Sequence, residues 1–466
     1  MKKKLKVFLC LLALALLPLS VLADVEINET NFPDPIFRDY VKSNFAYDNK
    51  LSDSSINSAT WINVSGSGIQ SLKGIEYFTQ LEKLYCMDNQ LTELDLSANT
   101  ALVTLWCYNN QLTELDLSAN TALDTLWCSD NQLTELDLSA NTALIILECD
   151  NNQLTKLNVS KSTALDTLRC NNNQLTALDL SANTALVELE CNNNQLTKLD
   201  VSKNTALGNL KCEGNRLTEL DLSKNTALTY LVCGNNQLTR LDLSKNTAID
   251  ALRCEKNQLT ELDLSKLTAL RFLTCQSNQL TELNVNNSTA LETLNCYDNQ
   301  MTGLDVSNLP ALRYLNCRSC QLTALDTTQN TALESLYCQD NQLTALDLSQ
   351  NTKLNTAKVS PQQVTVLAHA FGSRYTVDLK ALVGEANFPN VRVTKGALDQ
   401  QTGIWTIDSL NDQFYLYPTE KFGDIKVLLN LYLLPTTGDS SRPAAWLVAM
   451  LTALCGIALL KKKKLN

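Results

Sequence analysis

Histidine is nearly missing from this chain: His369 stands alone among 466 residues. Histidine is the side chain whose proton exchange falls nearest neutral pH and the commonest metal ligand, so its scarcity removes most catalytic designs. No H-E-x-x-H pair, phosphate-binding glycine loop or nucleophile elbow occurs either. The glycine-rich loops of calcium-binding solenoids are absent, as is any proline- or serine-rich stalk. Cys317-Arg318-Ser319-Cys320 is a lone C-x-x-C without further ligands. Both of its sulfurs are expected to point inward as a local packing change. These gaps argue against an enzyme and imply neither cofactor nor metal.

The two ends carry export signals. Met1-Lys2-Lys3-Lys4-Leu5-Lys6 precedes an apolar run over 7–16, and Val21-Leu22-Ala23 places small or modest side chains before a cut. A basic start, a short apolar core and such a site describe a secretory signal peptide over 1–23. At the other end come Leu434-Pro435-Thr436-Thr437-Gly438, an apolar stretch over 443–460 and a lysine block over 461–464. The apolar stretch is long enough to span a bilayer, with the lysines held on the cytoplasmic side. Lipid-anchor signals do not end in a lysine block. The order of pentapeptide, span and basic tail over 434–466 resembles the sorting signal of sortase substrates, L-P-x-T-G. That resemblance implies cutting between Thr437 and Gly438 and joining of Thr437 to peptidoglycan. It places the protein on the extracellular face of a Gram-positive cell wall, in contact with the membrane only through the span before sorting.

Removing both ends takes away nine basic residues and one acidic residue, leaving 29 basic and 48 acidic, a net charge of −19. Such a surface repels nucleic acid and anionic membranes and keeps a secreted rod soluble. Sixteen cysteines in an exported chain would ordinarily suggest disulfides. From Cys86 to Cys338, however, thirteen recur every 21 residues without a slip. A thiol at one fixed place per repeat lies directly above its neighbour on a parallel strand and points the same way, which is poor geometry for a bridge. These thiols are expected to be buried small hydrophobes.

Each unit reads L-x-x-L-x-C-x-x-N-Q-L-T-x-L-D-L-S-x-N-T-A, as over 102–122. A fixed period of this length specifies a solenoid before any single residue is considered. Leu105 and Cys107 alternate with exposed residues, so each coil begins with a short strand, and the strands stack into one parallel sheet about 4.8 Å apart. Leu102, Leu112, Leu115 and Leu117 point inward on a short, non-helical convex side. Asn110 and its equivalents turn the chain inward and bond neighbouring backbone, in a ladder interrupted only at Cys320. The Asp116 series, with Asn158 and Asn284 as replacements, caps the following turn. The pattern resembles the leucine-rich repeat, with cysteine where the third leucine usually stands, over 61–359.

Ile62, Val64, Ile69 and Leu72 suit a first coil and Leu354 and Val359 a last, incomplete one. Before them, a small helical cap occupies 24–60, with its helix over Pro35–Phe45. In similar bacterial surface proteins a calcium-loop-like stretch often follows this helix. Here Asp48, Asn49 and Asp53 remain without the loop glycine or closing glutamate, so calcium is not expected. Over 360–433 the repeat gives way to a small β-domain expected to cap the last coil, with strands at 375–379, 391–395, 403–407, 414–417 and 426–432.

The repeat leaves free the outward strand positions. In the first coils these hold Tyr85, Trp106, Tyr108 and Trp127; in the middle, Glu148, Arg169 and Glu190; towards the end, Tyr230, Arg253, Phe272, Tyr297, Tyr314 and Tyr337. Aromatics exposed on successive strands are costly to leave in water and typical of binding surfaces, although shielding of the sheet would also explain them. Similarity to internalin-like leucine-rich repeat surface proteins implies adhesion to protein partners on host or neighbouring cells. A second reading is a glycan-binding module in which Trp106 above Trp127 stacks on sugar rings.

Overall fold

The computed structural model describes residues 24–433, apart from 372, 412, 420 and 421. The signal peptide over 1–23 and the sorting signal over 434–466 lie outside the described residues. Two compact units are present among the described residues: one runs up to Cys338 and includes Ser349–Ala357, the other comprises Gln339–Leu348 and the described residues from Lys358.

In the first unit the helix runs over Pro35–Phe45 as its sequence predicts. Asp34 is its cap, accepting from the Ile36 and Phe37 amides, and Pro35 fills the first turn, where no amide donor is needed. The other carboxylate oxygen of Asp34 accepts from the Gln70 amide at 2.8 Å, tying the helix to the first coil. Phe45 and Phe78 meet at 5.2 Å across the same seam. The cap holds more than one helix. Strands Val25–Glu26 and Lys50–Leu51 pair antiparallel, and a second helix, Asp53–Ser58, is capped by Ser52. Asp48 and Asn49, at φ of 51° and 59°, form the tight turn before Lys50, with Tyr47 and Lys50 exchanging both backbone hydrogen bonds. Two successive positive φ values are the signature of a type I′ turn, which Asp and Asn tolerate best after glycine. What remained of a calcium loop is therefore a hairpin turn.

The solenoid is a parallel sheet of fifteen strands in sequence order, from Trp61–Asn63 to Thr356–Lys358. Successive strands pair in register, Leu105 on Leu126 and Leu126 on Leu147, so identical residues stack coil upon coil. Leu102, Leu105, Cys107, Leu112 and Leu117 have no solvent exposure. At about 1.5–3 kcal/mol for each fully buried leucine, these groups hold a coil only while its neighbours are present. The first coil buries Ile62, Val64, Ile69 and Leu72, and Leu354 and Val359 are buried at the other end.

Two asparagine columns knit the coils together. In the first, the Asn215 side-chain NH2 donates to the carbonyls of Cys191 and Cys212, and its oxygen accepts from the Leu196 amide at 3.0 Å. Its equivalents repeat this pattern from Asn110 to Asn299. At Cys320 a thiol replaces the amide and donates to the Cys296 carbonyl at 3.2 Å, which preserves one contact of the ladder. The second column, ten residues on, was not anticipated: Asn120 donates to the Leu96 and Asn99 carbonyls, and Asn141 to those of Leu117 and Asn120. Asp116 caps the next turn through Ser118, as expected. Replacing Asn215 by Ala leaves buried backbone groups in two coils unpaired and should destabilise the solenoid by roughly 1–3 kcal/mol. Chemical denaturation of the variant beside the parent measures this, and a neutral result would mean that water satisfies the turn.

The second unit is a seven-stranded mixed sheet in the order Arg392–Val393, Gln413–Thr419, Gly423–Leu433, Gln362–Phe371, Arg374–Asp378, Ile404–Ile407, Ala397–Leu398. Trp405 and Tyr415 are its largest fully buried side chains. The Trp405 indole donates to the Lys395 carbonyl at 2.7 Å and the Tyr415 hydroxyl to that of Thr344 at 2.9 Å. Three details correct the sequence reading. Gln362–Phe371, within the expected β-domain but given no strand there, is a ten-residue strand parallel to Gly423–Leu433. Leu379, assigned to a strand, opens the helix Leu379–Val383, because the Asp378 side chain caps it through the Ala381 amide. Only Arg392–Val393 of the strand expected over 391–395 forms.

Candidate binding face of the parallel sheet

Alternation along each three-residue strand turns the central leucine inward and its neighbours outward. In-register pairing then stacks the outward side chains into columns running across the coils. Tyr85, Trp106, Trp127, Glu148, Arg169, Glu190, Tyr230, Arg253, Phe272, Tyr314 and Tyr337 occupy outer positions of their strands, and Tyr108 and Tyr297 follow theirs by two residues. Three zones follow one another along it.

The first zone is aromatic. Tyr85 and Trp106 stack at 4.1 Å with their planes 14° apart, and Trp106 and Trp127 at 4.3 Å and 4°. Trp61, 55% exposed, meets Tyr85 edge-on at 6.2 Å, and Tyr108 lies 6.4 Å from Trp127. The 4.1 and 4.3 Å separations are shorter than the spacing between strands, so Tyr85, Trp106 and Trp127 form one stack with Trp106 covered on both faces. Helix Pro35–Phe45 reaches this end: the Tyr40 hydroxyl accepts from the Asn63 amide at 3.4 Å. Sequence reading missed that approach, since it links residues far apart in the chain.

The second zone is charged. Arg169 bridges Glu148 at 3.0 Å and Glu188 at 2.9 Å, and Lys211 pairs with Glu190 at 2.7 Å. Asp150, beside them, has the backbone amide of Asn171 as donor. Burial pushes its carboxyl up to about 6, with Glu190 and Glu148 adding repulsion. Burial likewise raises Glu148. For Glu190 burial acts in the same direction, but the Lys211 ammonium, the Asn171 amide and Arg169 outweigh it and hold the group below the usual range. Ile145 and Val187, immediately beside the strands, are 41% and 45% exposed. Neither was singled out from the sequence, because each stands at the variable position before the strand, where acidic, basic, polar and apolar residues all occur.

In the third zone Tyr230, Phe272 and Tyr314 share one column on alternate strands, and Arg253 is exposed in the neighbouring column, in register with Val232 and Thr274. Arg318 lies 4.3 Å over the Tyr297 ring, and Tyr314 meets Tyr337 at 5.7 Å.

Other groups stand apart from this face. A groove of about 1460 Å³ is floored by Leu220, Leu241 and Leu262 and bordered by Asp221 and Asp242. Its aspartates already serve the fold: Ser223 and Ser244 donate their amides to them, and these bonds hold both carboxyls below their ordinary range. Among the described residues no group of three or more His, Cys, Asp or Glu side chains is placed to hold a metal ion, and no helix is long and apolar enough to cross a membrane. His369 is exposed on the strand Gln362–Phe371 of the second unit, and Cys317 and Cys320 are buried.

Comparison with known proteins agrees with this architecture. A family model described as leucine-rich repeats in two copies matches residues 79–120 and 289–328. The functional domain of InlJ from Listeria monocytogenes, whose structure is described as including a cysteine ladder, is 33% identical. That match covers 88% of this chain and 99% of the other, with a TM-score of 0.73. The internalin InlF of Listeria monocytogenes is 24% identical over 74% of this chain and 100% of that one, at a TM-score of 0.61. A leucine-rich repeat protein of Leptospira interrogans is 23% identical over 66% and 93%, at 0.60. These last two likenesses speak to the fold alone. No curated protein matches the chain.

Proposed function

Because the chain belongs to the internalin-like bacterial leucine-rich repeat proteins, we propose that its strand face is a protein-binding surface displayed outside the cell for adhesion. The export signal over 1–23 and the L-P-x-T-G signal over 434–466 support display on the cell wall through a sortase, with peptidoglycan joined at Thr437. The observation that carries the binding reading is the run of aromatic side chains left at the surface of successive strands. Large rings at the water boundary, bordered by charged residues, are the composition of protein-interface hot spots.

The ring geometry also weighs between partner classes. Stacking on a sugar needs an open ring face, whereas Trp106 has Tyr85 over one face and Trp127 over the other, and Tyr85 and Trp127 each have one face taken. Edges and exposed apolar residues such as Trp61, Ile145 and Val187 suit the side chains of a protein partner. The glycan reading therefore loses Trp106 as a platform and keeps only the outer faces of Tyr85 and Trp127.

The test is binding of the chain to a mixed panel of host surface proteins, mucins and glycans, with a Trp106→Ala/Trp127→Ala variant alongside. We expect the parent to bind a protein and the variant to lose at least about tenfold in affinity, the size of a single hot spot. Binding that the variant retains in full would remove the aromatic zone from the interface, and capture of glycans alone would select the second reading.

A further inference from the structure

Asp150 carries a charge that the fold does not use. Ser129, Asp150, Asn171 and Asn192 stack on successive coils, and the side-chain oxygen of each accepts from the backbone amide one coil on. Asn171 and Asn192 make that bond as neutral amides, at 2.8 Å each. A carboxylate at 150 therefore adds only its charge, on a half-buried side chain where charge is poorly hydrated.

Nothing nearby offsets it. Glu148, Glu188 and Glu190 already occupy Arg169 and Lys211, three carboxylates on two cations. Asp124, Asp150, Asp166 and Glu213 have no ion pair among the described residues. They bring the net charge of the zone from −1 to −5. No three of these groups are placed to hold a metal ion; spread over coils about 4.8 Å apart, they suit a chain of cations.

The zone is also apolar in a regular way. Asp124, Ile145, Asp166 and Val187 follow one another on consecutive coils, each amide donating to the preceding carbonyl at 2.8 to 2.9 Å. This column alternates acidic with aliphatic side chains, and Ile145 and Val187 are 41% and 45% exposed. The complement of such a mosaic carries cations and apolar groups together. Arginine and lysine supply both, since their stems lie along aliphatic surface while their heads reach carboxylates. Asn209, in register between Glu188 and Tyr230, has a side-chain oxygen without a donor among the described residues. A guanidinium or ammonium is the donor it lacks. From Ile145 to Asp150 the coil advances five residues, about 16 Å, which an extended segment of similar length crosses.

We propose that the second zone docks a basic, amphipathic segment of a protein partner, with its arginine or lysine heads on Asp150 and Asp166 and its apolar side chains on Ile145 and Val187. This inference rests on the reading that the strand face binds protein, and it names the partner chemistry for one zone of that face. Its pH dependence follows from Asp150, whose carboxyl burial pushes up to about 6, with Glu190 and Glu148 repelling it and Arg169 attracting it. A bound cation needs the carboxylate, so affinity is complete above that pH and falls as pH drops through it.

Fluorescence anisotropy of a labelled nine-residue peptide alternating arginine with leucine tests the proposal on the full chain. A peptide alternating glutamate with leucine is the control. At neutral pH we expect saturable binding of the basic peptide below about 1 mM and none of the acidic one. Asp150→Asn keeps the bond to the Asn171 amide, so its thermal unfolding should be no lower than the parent's. It should bind at least about threefold more weakly, with a shallower decline below pH 6. Ile145→Ser/Val187→Ser should weaken the peptide at least about tenfold and leave spermine, which has no apolar side chains, unaffected. Glu219→Gln, in the groove apart from this face, should bind as the parent does. No binding of the basic peptide, equal binding of the acidic one, or full binding by either face variant overturns the proposal. Spermine binding as tightly as the peptide overturns it too, by reducing the zone to a surface for counterions. Protein capture from the panel by the same preparation would leave the broader reading of the face standing in either case.

Discussion

In the native protein the repeat cysteines should resist a maleimide at pH 8 while the denatured chain reacts at once, with rates at least a thousandfold apart. Two effects keep the thiols unreactive while the coils stay closed. The reactive species is the thiolate, and burial pushes the thiols of Cys86 and Cys212 from an ordinary 9.0 up to about 12, lowering the thiolate fraction about a thousandfold. The thiols from Cys86 to Cys296 are also fully buried, so a reagent reaches them only after the coils part. Each coil touches only its neighbours, so opening begins at an end and proceeds inward. Site-resolved mass spectrometry should therefore find Cys86 labelled before Cys191 or Cys212. Prompt labelling of most repeat cysteines in the native protein would contradict the packing described above.

Thr437→Ala should abolish wall attachment and send the protein to the medium or the membrane fraction. Under the sortase reading the bond after Thr437 is the one cut, and the threonine carbonyl is the atom joined to the wall; substitution removes the side chain by which the enzyme recognises that bond. Deleting Lys461–Lys464 acts differently. Without the basic block nothing holds the apolar stretch at the cytoplasmic boundary, so the chain is released before the enzyme can act. Fractionation of cells with a muralytic enzyme separates the outcomes. Unchanged release of both variants with the wall would refute sortase linkage.

Where local physics and period agree, the sequence was legible. The 21-residue spacing of cysteine and leucine predicts a parallel solenoid because a coil with one apolar side has no stable alternative to stacking. Asp34 and Pro35 mark the helix start, and the Asn110 column anticipates the hydrogen bonds seen at Asn215. The second asparagine column was also periodic, with replacements at Ser162, Leu267, Ser288 and Leu309, but its purpose depends on carbonyls one coil away. Asp48-Asn49 was ambiguous because the same residues suit a metal loop and a type I′ turn. The antiparallel partner of Lys50, Val25–Glu26, decides for the turn. In the second unit, Gln362–Phe371 lies past the repeat with no signature of its own, and pairing with Gly423–Leu433, distant in sequence, makes it a strand.

Residue order alone therefore determined the architecture of the coils, the inward course of the thiols and which side chains face water, since these follow from alternation and period. Tertiary structure decided what those outward side chains do to each other. Whether neighbouring rings close into a stack, as Trp106 and Trp127 do, or stand apart, as Tyr230 and Phe272 do across Ala251, depends on register between strands 21 residues apart. Periodicity sets a residue's side of the sheet; the distance to its neighbour in the next coil, which sets its chemistry, exists only once the coils are stacked.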